Sequence, residues 1–371
     1  MEIAWCLPFD LGRFFDRTVR ITSKLKKCNT LMERTVVKFA NLSSLIIVEG
    51  FGTSSLIQPS QLLVNACTAY ASNLRTLSLI ANSPNFKALF PSNASELTSL
   101  EEVTLTFSPL FSQNADTEVA STFFQAIAST LTTLNITSDE PSQLLQSFLR
   151  RGGKAAFPKL TSFSLSHKGS SAEPNSDLMR ILNQHAETLK HLRLQYASQL
   201  LYDPAPLLSP ALPHLETLNI LRLESHWNCQ GLASHEGLDV VRAYIQHSGS
   251  TLTSLSLAHC PFTLRDLSIL LDLLGRGLSE NMKGGGLKSL SVIVQVLSPQ
   301  VLDMLAEKLP QLEKLKVVFI HLRSEDVPSE SKRLRLNDLT QEVQLCFSWT
   351  FFFAQSDVSL SPRTLNHFFL R

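Results

Sequence analysis

The chain has 371 residues, a formal net charge of +1 and 18% charged residues, with 44% hydrophobic residues. This balance lacks the basic excess of proteins that bind nucleic acid or membrane surfaces, so neither partner is predicted. The longest apolar run, 345–354, is too short to span a bilayer. Six scattered cysteines without a CxxC pair favour neither a zinc ribbon nor a thioredoxin-like site.

The first 15 residues, MEIAWCLPFDLGRFF, carry two acidic residues and lack the basic start and continuous apolar core of a secretory signal. Scattered single cysteines without such a signal are typical of reduced thiols inside the cell. The sequence therefore predicts a cytoplasmic or nuclear protein.

Residues 1–41 are predicted to form an N-terminal cap that includes a possible degenerate repeat. Val19 and Ile21 have the spacing of two side chains on one face of a strand. A capping strand is therefore expected there.

Ten copies of an LxxLxL pattern follow one another from residue 42 onward, with starts 25 to 37 residues apart. Alternation within a strand puts the second and third apolar residues of each copy on one face. Each copy cannot bury its apolar face alone, so the copies must stack on one another. The copies start at Leu42, Leu74, Leu100, Leu131, Leu160, Leu189, Leu215, Leu252, Leu287 and Leu312.

Helices are predicted between the strands because the apolar spacing there changes to three and four residues. In the clearest copy, a turn at Pro261 separates the strand from the helix. Ser176 and Asp177 are expected to cap one helix, and Ser298 with Pro299 another. The predicted helices are 59–72, 116–130, 141–151, 176–188, 237–248, 264–279 and 299–309.

Strand, turn and helix in regular order predict an α/β fold, a right-handed βα superhelix in the form of a leucine-rich-repeat horseshoe solenoid. The parallel sheet is expected on the concave face and the helices on the convex face. About ten irregular repeats are predicted over 42–318, and an irregular C-terminal cap or degenerate repeats over 319–371.

The repeat cores resemble the leucine-rich repeats of the ribonuclease-inhibitor-like superfamily, in particular those of fungal F-box proteins. LSLAHC ends in Cys260 and LSLIAN ends in Asn82, at the position where such families place a residue that bonds the turn backbone. The other eight copies have neither residue there. LPFDLGRFF is similar to the opening of an F-box, but too few residues separate it from the predicted strand at Val19 to hold three helices.

The resemblance implies a protein-interaction module, the substrate-recognition part of an F-box-like protein in a cullin-based ubiquitin ligase. A ligase adaptor is an implied partner only if an F-box accompanies the repeats. The alternative is a free-standing leucine-rich-repeat scaffold or regulator without a ubiquitin role. No enzymatic activity, cofactor or metal is predicted, and the chain is expected to be a monomer.

The outward strand positions are mostly Ser and Thr, and they predict a low-relief concave surface for a protein partner. Small hydroxyl residues also suit a solvated sheet surface without any binding role. Larger polar and charged residues interrupt the row, and His191 and Arg193 are expected at its centre. The predicted partner-binding residues are Glu102, Asn135, His191, Arg193, Gln195, Asn219, Lys314 and Lys316.

The longest connection, 221–236, contains His226, Trp227, Cys229 and His235. The spacing of the two histidines and the cysteine matches no closed zinc pattern. The connection is either a surface loop whose Trp227 packs on the solenoid or a binding loop anchored by Trp227.

Overall fold

The structure, a computed structural model, describes residues 18–22, 42–48, 68–81, 90, 94–107, 117–138, 157–167, 175–196, 212–222, 241–242, 244–245, 248, 251–279, 286–322 and 347–348. Within these residues the chain forms one open sheet of twelve strands. The strands are β1 Thr18–Thr22, β2 Ser44–Val48, β3 Thr76–Ala81, β4 Glu102–Phe107, β5 Thr133–Ser138, β6 Ser162–His167, β7 His191–Tyr196, β8 Thr217–Arg222, β9 Ser254–Phe262, β10 Ser289–Leu297, β11 Lys314–Leu322 and β12 Phe347–Ser348.

The strands lie side by side in the order in which they occur in the chain. β1 to β11 are all parallel, and β12 pairs antiparallel with β11. This is the arrangement of a stack of βα units in which each unit pairs only with its neighbours. The predicted α/β class and the parallel sheet are confirmed, whereas the horseshoe curvature stays a prediction.

Equivalent positions of the repeats face one another across the sheet. For example, Leu192 pairs with Phe163 on one side and with Leu218 on the other, and Leu255 pairs with Leu218 and Leu290. Each of the ten predicted strands is present, and the strand at Val19 and Ile21 is β1. The predicted inward residues of β3 to β10 are buried, which confirms the phase of the pattern.

Four α-helices that lie whole within the described residues connect strands. The first two are α1, Thr117–Ile127, and α2, Asn175–Gln184. The other two are α3, Leu264–Ser279, and α4, Pro299–Lys308. The buried apolar side chains of these helices and the inward side chains of the strands belong to one cluster. That shared cluster is the core of the described part of the chain.

Residues 68–70, 241–242, 244–245 and 248 are also helical, and they lie within two other predicted helices. The predicted helix at 141–151 lies outside the described residues. A short 3-10 helix at Ala94–Glu96 precedes β4, where the sequence predicted no helix.

The prediction of a turn at Pro261 is wrong. β9 continues through Phe262, and Pro261 and Phe262 are both buried. Phe262 pairs with Val294 after a shift of register that follows the pair Leu257–Val292. A proline has no N–H for the ladder, and strands tolerate it at such irregularities. Between these two pairs β9 has more residues than β10, and the extra residues form an irregularity inside β9 without ending the strand.

The start of α2 differs from the one predicted, whereas the N-cap position of α4 is confirmed. α2 begins at Asn175, so Ser176 and Asp177 lie in its first turn. Ser298 is the N-cap of α4 with Pro299 directly after it, as predicted, but its side chain makes no capping hydrogen bond. Its hydroxyl instead donates to Gln300 Oε1 at 3.2 Å.

α3 begins with a capping box. The Asp266 N–H donates to Thr263 Oγ1 at 3.2 Å, while the Thr263 hydroxyl and N–H donate to Asp266 Oδ2 at 2.6 and 3.3 Å. This is a reciprocal capping box, which satisfies backbone N–H groups that the helix start leaves without partners.

A repeated backbone contact marks the point where each strand begins. We use "strand entry" for the residue directly before a strand. The carbonyl of each strand entry accepts hydrogen bonds from two successive N–H groups of the next unit. The Lys190 carbonyl, for example, accepts from Glu216 N at 2.8 Å and from Thr217 N at 2.9 Å. The same pattern occurs at all nine steps from β2 to β11. Strand entries are therefore fixed relative to one another even though the repeats differ in length.

The turns that lead into β3 to β9 alternate between two forms. In the wide form the first leucine of the repeat donates its N–H to the carbonyl four residues earlier, as Leu189 does to His185 at 2.9 Å. In the tight form the acceptor is three residues earlier, as in Leu160 to Phe157 at 3.0 Å. The wide turns precede Leu74, Leu131, Leu189 and Leu252, and the tight turns precede Leu100, Leu160 and Leu215. The turn before Leu312 is tight as well, because the Leu312 N–H donates to the Leu309 carbonyl at 3.1 Å, so the alternation does not extend to β11.

No helix among the described residues is long and apolar enough to cross a membrane. The predicted boundaries of the caps at residues 41 and 319 stay predictions. Within the predicted C-terminal cap the structure describes β12, whose antiparallel direction differs from that of the repeats.

Candidate functional site

The sheet has one core face and one polar face. We use "polar face" for the side chains of β2 to β11 that alternate with the buried core residues. Along β5 the sequence TLNITS alternates between half-buried and buried side chains, so Thr133, Asn135 and Thr137 lie on the polar face. All eight residues predicted to bind a partner from strand positions lie on this face by the register of the sheet. Their role in binding stays a prediction.

Three of these residues lie on β7. His191 and Arg193 are exposed and Gln195 is half-buried. Their neighbours on β6 are the serines 162, 164 and 166. Because serine is short, it does not cover the longer side chains of β7. His191 and Arg193 are therefore the most accessible groups in the middle of the polar face.

Glu102 and Asn135 form the acidic part of the polar face, on β4 and β5 toward its β2 end. The Asn135 Nδ2 donates to Glu102 Oε1 at 3.3 Å and to Thr104 Oγ1 at 3.2 Å. Thr104 is the direct cross-strand partner of Asn135, and Glu102 is its diagonal neighbour. The Asn135 amide therefore holds the Glu102 carboxylate on the face, while Glu102 remains half-exposed.

Lys314 and Lys316 lie at the other end of the face, on β11. Both side chains are exposed. Their neighbours on β10 are Ser289 and Ser291, and Lys314 also pairs with Ser348 of β12. Four strand steps separate Lys316 from Arg193 in the same row, which corresponds to about 19 Å at the usual strand spacing.

The charged residues at the strand entries differ from those on the polar face because they are paired. Lys190 donates to Glu216 Oε1 at 2.8 Å, and the hydrogen bond and positive charge hold the pKa of Glu216 below its usual value. Corresponding pairs join Arg75 to Glu101 at 3.8 Å and Lys288 to Glu313 at 3.5 Å. These pairs are not among the features predicted from the sequence. Their signal was available, because each residue directly precedes a predicted strand.

No such partner is found for the cations of the polar face. Among the described residues, Arg193, Lys314 and Lys316 form no ion pair. The described part of the face thus carries three cations without an acidic partner and one carboxylate, which is held by Asn135. An unpaired exposed cation remains available to a negatively charged group of another molecule.

Asn219 lies next to Arg193 on β8 and faces Ser256 on β9. Its Oδ1 atom is buried and accepts no hydrogen bond from the described part of the chain. Buried side-chain oxygens usually have a donor. Asn219 is therefore the polar group of the face whose hydrogen bonding is least complete.

One outward position departs from the predicted surface. Strand alternation from Ser289 and Ser291 predicts Ile293 on the polar face, but it is buried, with 3% of its surface exposed. Val292 and Val294 on the core face are buried too. β10 is therefore covered on both faces near Ile293, and the accessible polar face is shorter at this end than predicted.

The loop predicted to hold Trp227, and with it the alternatives for His226, Cys229 and His235, lies outside the described residues. Asn82 and the side chain of Cys260 lie outside them as well. In the described ranges, no group of three or more His, Cys, Asp or Glu side chains is placed to hold a metal ion.

No protein-family model matches the chain, and no curated protein matches it. A crystal structure of the Rad7 and Elc1 complex from yeast is similar over 82% of this chain and 76% of the matched chain. The two chains are 13% identical and superpose with a TM-score of 0.42. A similarity at this level carries no argument about fold or function.

Proposed function

We propose that this chain is a non-enzymatic protein–protein interaction module whose binding surface is the polar face. The sheet is the concave side of a right-handed horseshoe, and the helices cover its convex side. The observation that supports this function is the row of exposed cations without acidic partners, Arg193, Lys314 and Lys316, above a floor of small hydroxyl residues. Open sheet surfaces of stacked repeats are suited to extended protein contacts.

Within this function, we propose that the partner is the substrate of a cullin-based ubiquitin ligase and that the chain is the recognition part of an F-box-like protein. The support is the resemblance of the repeat cores, including the LSLAHC segment that ends in Cys260. The alternative is a scaffold without a ubiquitin role. It is favoured by the small number of residues between LPFDL and β1. In both cases the chain works as a monomer in the cytoplasm or nucleus.

Site-specific photocrosslinking tests the binding surface. A photoreactive amino acid is placed at Ser256, on β9 of the polar face, and in a matched variant at Ala126, which is exposed on α1. In cell extract, position 256 is expected to give discrete protein adducts that position 126 does not give. The same adducts from both positions would contradict the assignment of the polar face.

Purified ligase adaptor separates the two versions of the function. Stable co-elution of adaptor and chain in gel filtration is expected for the F-box-like protein. Separate elution, together with adducts at Ser256, would favour the scaffold.

A further inference from the structure

The charges of the polar face are not evenly distributed. Its single described carboxylate, Glu102, is on β4, whereas all of its described cations lie on β7 and β11. β7 also carries His191 two residues before Arg193, and β11 carries Lys314 two residues before Lys316. The stretch from β7 to β11 is therefore a surface with a basic group at each end.

The space between these two groups is lined by small side chains. In the row that joins Arg193 to Lys316, the register passes through Asn219, Ser256 and Ser291. None of them is charged, and all three are half-buried. A chain lying across the strands in this row would meet no large side chain between the two cations.

We propose that the occupant of this surface is an extended acidic segment of a partner protein that lies across β7 to β11, which rests on the proposed function of the polar face. One acidic group contacts Arg193 and another contacts Lys316. The spacing of the two cations, about 19 Å, corresponds to about six residues of extended chain at 3.3 Å per residue. The segment thus carries two acidic positions about six residues apart, with small or polar residues between them.

The distribution of charge favours a protein segment over a nucleic acid. A nucleic acid presents a phosphate at every nucleotide, and its binding sites have basic residues clustered along one face. Here the row between Arg193 and Lys316 holds only neutral residues, and the neighbouring cations at the strand entries, Lys190 and Lys288, are paired with glutamates. Two separated anchors match two separated carboxylate groups better than a continuous line of phosphates.

Fluorescence anisotropy with synthetic peptides tests this proposal on the full-length chain. The probe is a labelled 12-residue peptide of Ser, Gln and Gly with two Glu-Asp pairs whose centres are six residues apart. A peptide of the same composition with the two pairs adjacent is the matched control. The spaced peptide is expected to bind several-fold more tightly and to weaken as sodium chloride is raised, because exposed charge pairs are screened by salt.

Charge reversal locates the contact. Arg193→Glu and Lys316→Glu are each expected to weaken binding of the spaced peptide by at least about fivefold, since they replace an attraction by a repulsion at an exposed position. Arg242→Glu, at an exposed helical position, is the matched control and should leave binding unchanged. The circular dichroism melts of all three variants check that each remains folded.

Several results would overturn the proposal. The first two are equal binding of the spaced peptide and of the control peptide with adjacent pairs, and no binding of either. The third is an effect of Arg242→Glu as large as that of Arg193→Glu. The fourth is tighter binding of a ten-residue oligothymidylate than of the spaced peptide. These results leave the crosslinking at Ser256 unaffected. If Ser256 gives discrete adducts but the peptides behave in one of these ways, the polar face remains the binding surface and the acidic segment is rejected. If Ser256 gives no adducts of its own, the polar face itself is rejected as the binding surface.

Discussion

Replacing Leu255 by alanine removes three carbon atoms from the middle of the stack of repeats. Leu255 is 1% exposed and lies between Leu218 of β8 and Leu290 of β10. Burial of three methylene-sized groups contributes roughly 2.4 kcal/mol at about 0.8 kcal/mol each. With the cavity that remains, the expected loss in the free energy of unfolding is about 3–5 kcal/mol.

Urea denaturation followed by far-ultraviolet circular dichroism measures this loss. Ser256→Ala is the matched control, because Ser256 is the next residue of the same strand and lies on the polar face. Its expected effect is within about 0.5 kcal/mol. Hydrogen exchange should show the loss of protection in Leu255→Ala concentrated in β8, β9 and β10, since each repeat packs only on its neighbours.

A Leu255→Ala variant within about 0.5 kcal/mol of the parent protein would refute the packing described here. So would a larger loss in Ser256→Ala than in Leu255→Ala. Either result would mean that β9 turns its other side chains toward the core, and that the polar face has been assigned to the wrong set of residues.

Two further predictions concern stability. Burial lowers the pKa of His185, whose ring lies 5.6 Å from that of Phe157, so the unfolded chain takes up a proton more readily than the folded one. The free energy of unfolding should therefore fall as pH decreases below about 6.5, by up to about 1.4 kcal/mol per pH unit for this one group. Chemical denaturation at pH 7.5, 6.5 and 5.5 should show a weaker pH dependence in His185→Phe than in the parent protein. The same pH dependence in both proteins would contradict a lowered pKa of His185. Thr263→Ala removes the hydroxyl that exchanges hydrogen bonds with Asp266 at the start of α3 and should cost about 1 kcal/mol. Ser268→Ala, inside the same helix, is its control in thermal and urea unfolding, and an equal effect of the two changes would argue against the capping box.

The strands were predictable because their signal is local and repeated. Because side chains in a strand alternate between its two faces, an LxxLxL pattern predicts which residues face the core. Leu192 and Leu194 are buried as expected. Stacking then aligns equal positions of successive repeats. For the same reason the placement of His191 and Arg193 on the polar face could be predicted from the sequence.

Other features depend on contacts that a pattern does not contain. Pro261 is an ordinary turn signal, yet the shift in pairing between β9 and β10 allows it inside a strand. Ile293 sits at an outward position, but its burial depends on what covers β10. The hydrogen bond from Asn135 to Glu102 joins two residues 33 positions apart in the chain and requires the register of the sheet.

The paired charges at the strand entries could have been found by combining two local signals. Glu216 follows Lys190 by one repeat, and each residue directly precedes its strand. Since the register aligns equal positions, the two had to be neighbours. Only the distance between the charged atoms, 2.8 Å from Lys190 Nζ to Glu216 Oε1, could not be obtained without the structure.

The alternation of wide and tight turns means that neighbouring repeats are not interchangeable. Leu74, Leu131, Leu189 and Leu252 begin repeats with the same turn, and they are separated by 57, 58 and 63 residues. A strand moved or copied by itself would place two turns of one form side by side. Between β3 and β9, the smallest segment that can be duplicated or lost without changing this order of turns is therefore a pair of strands.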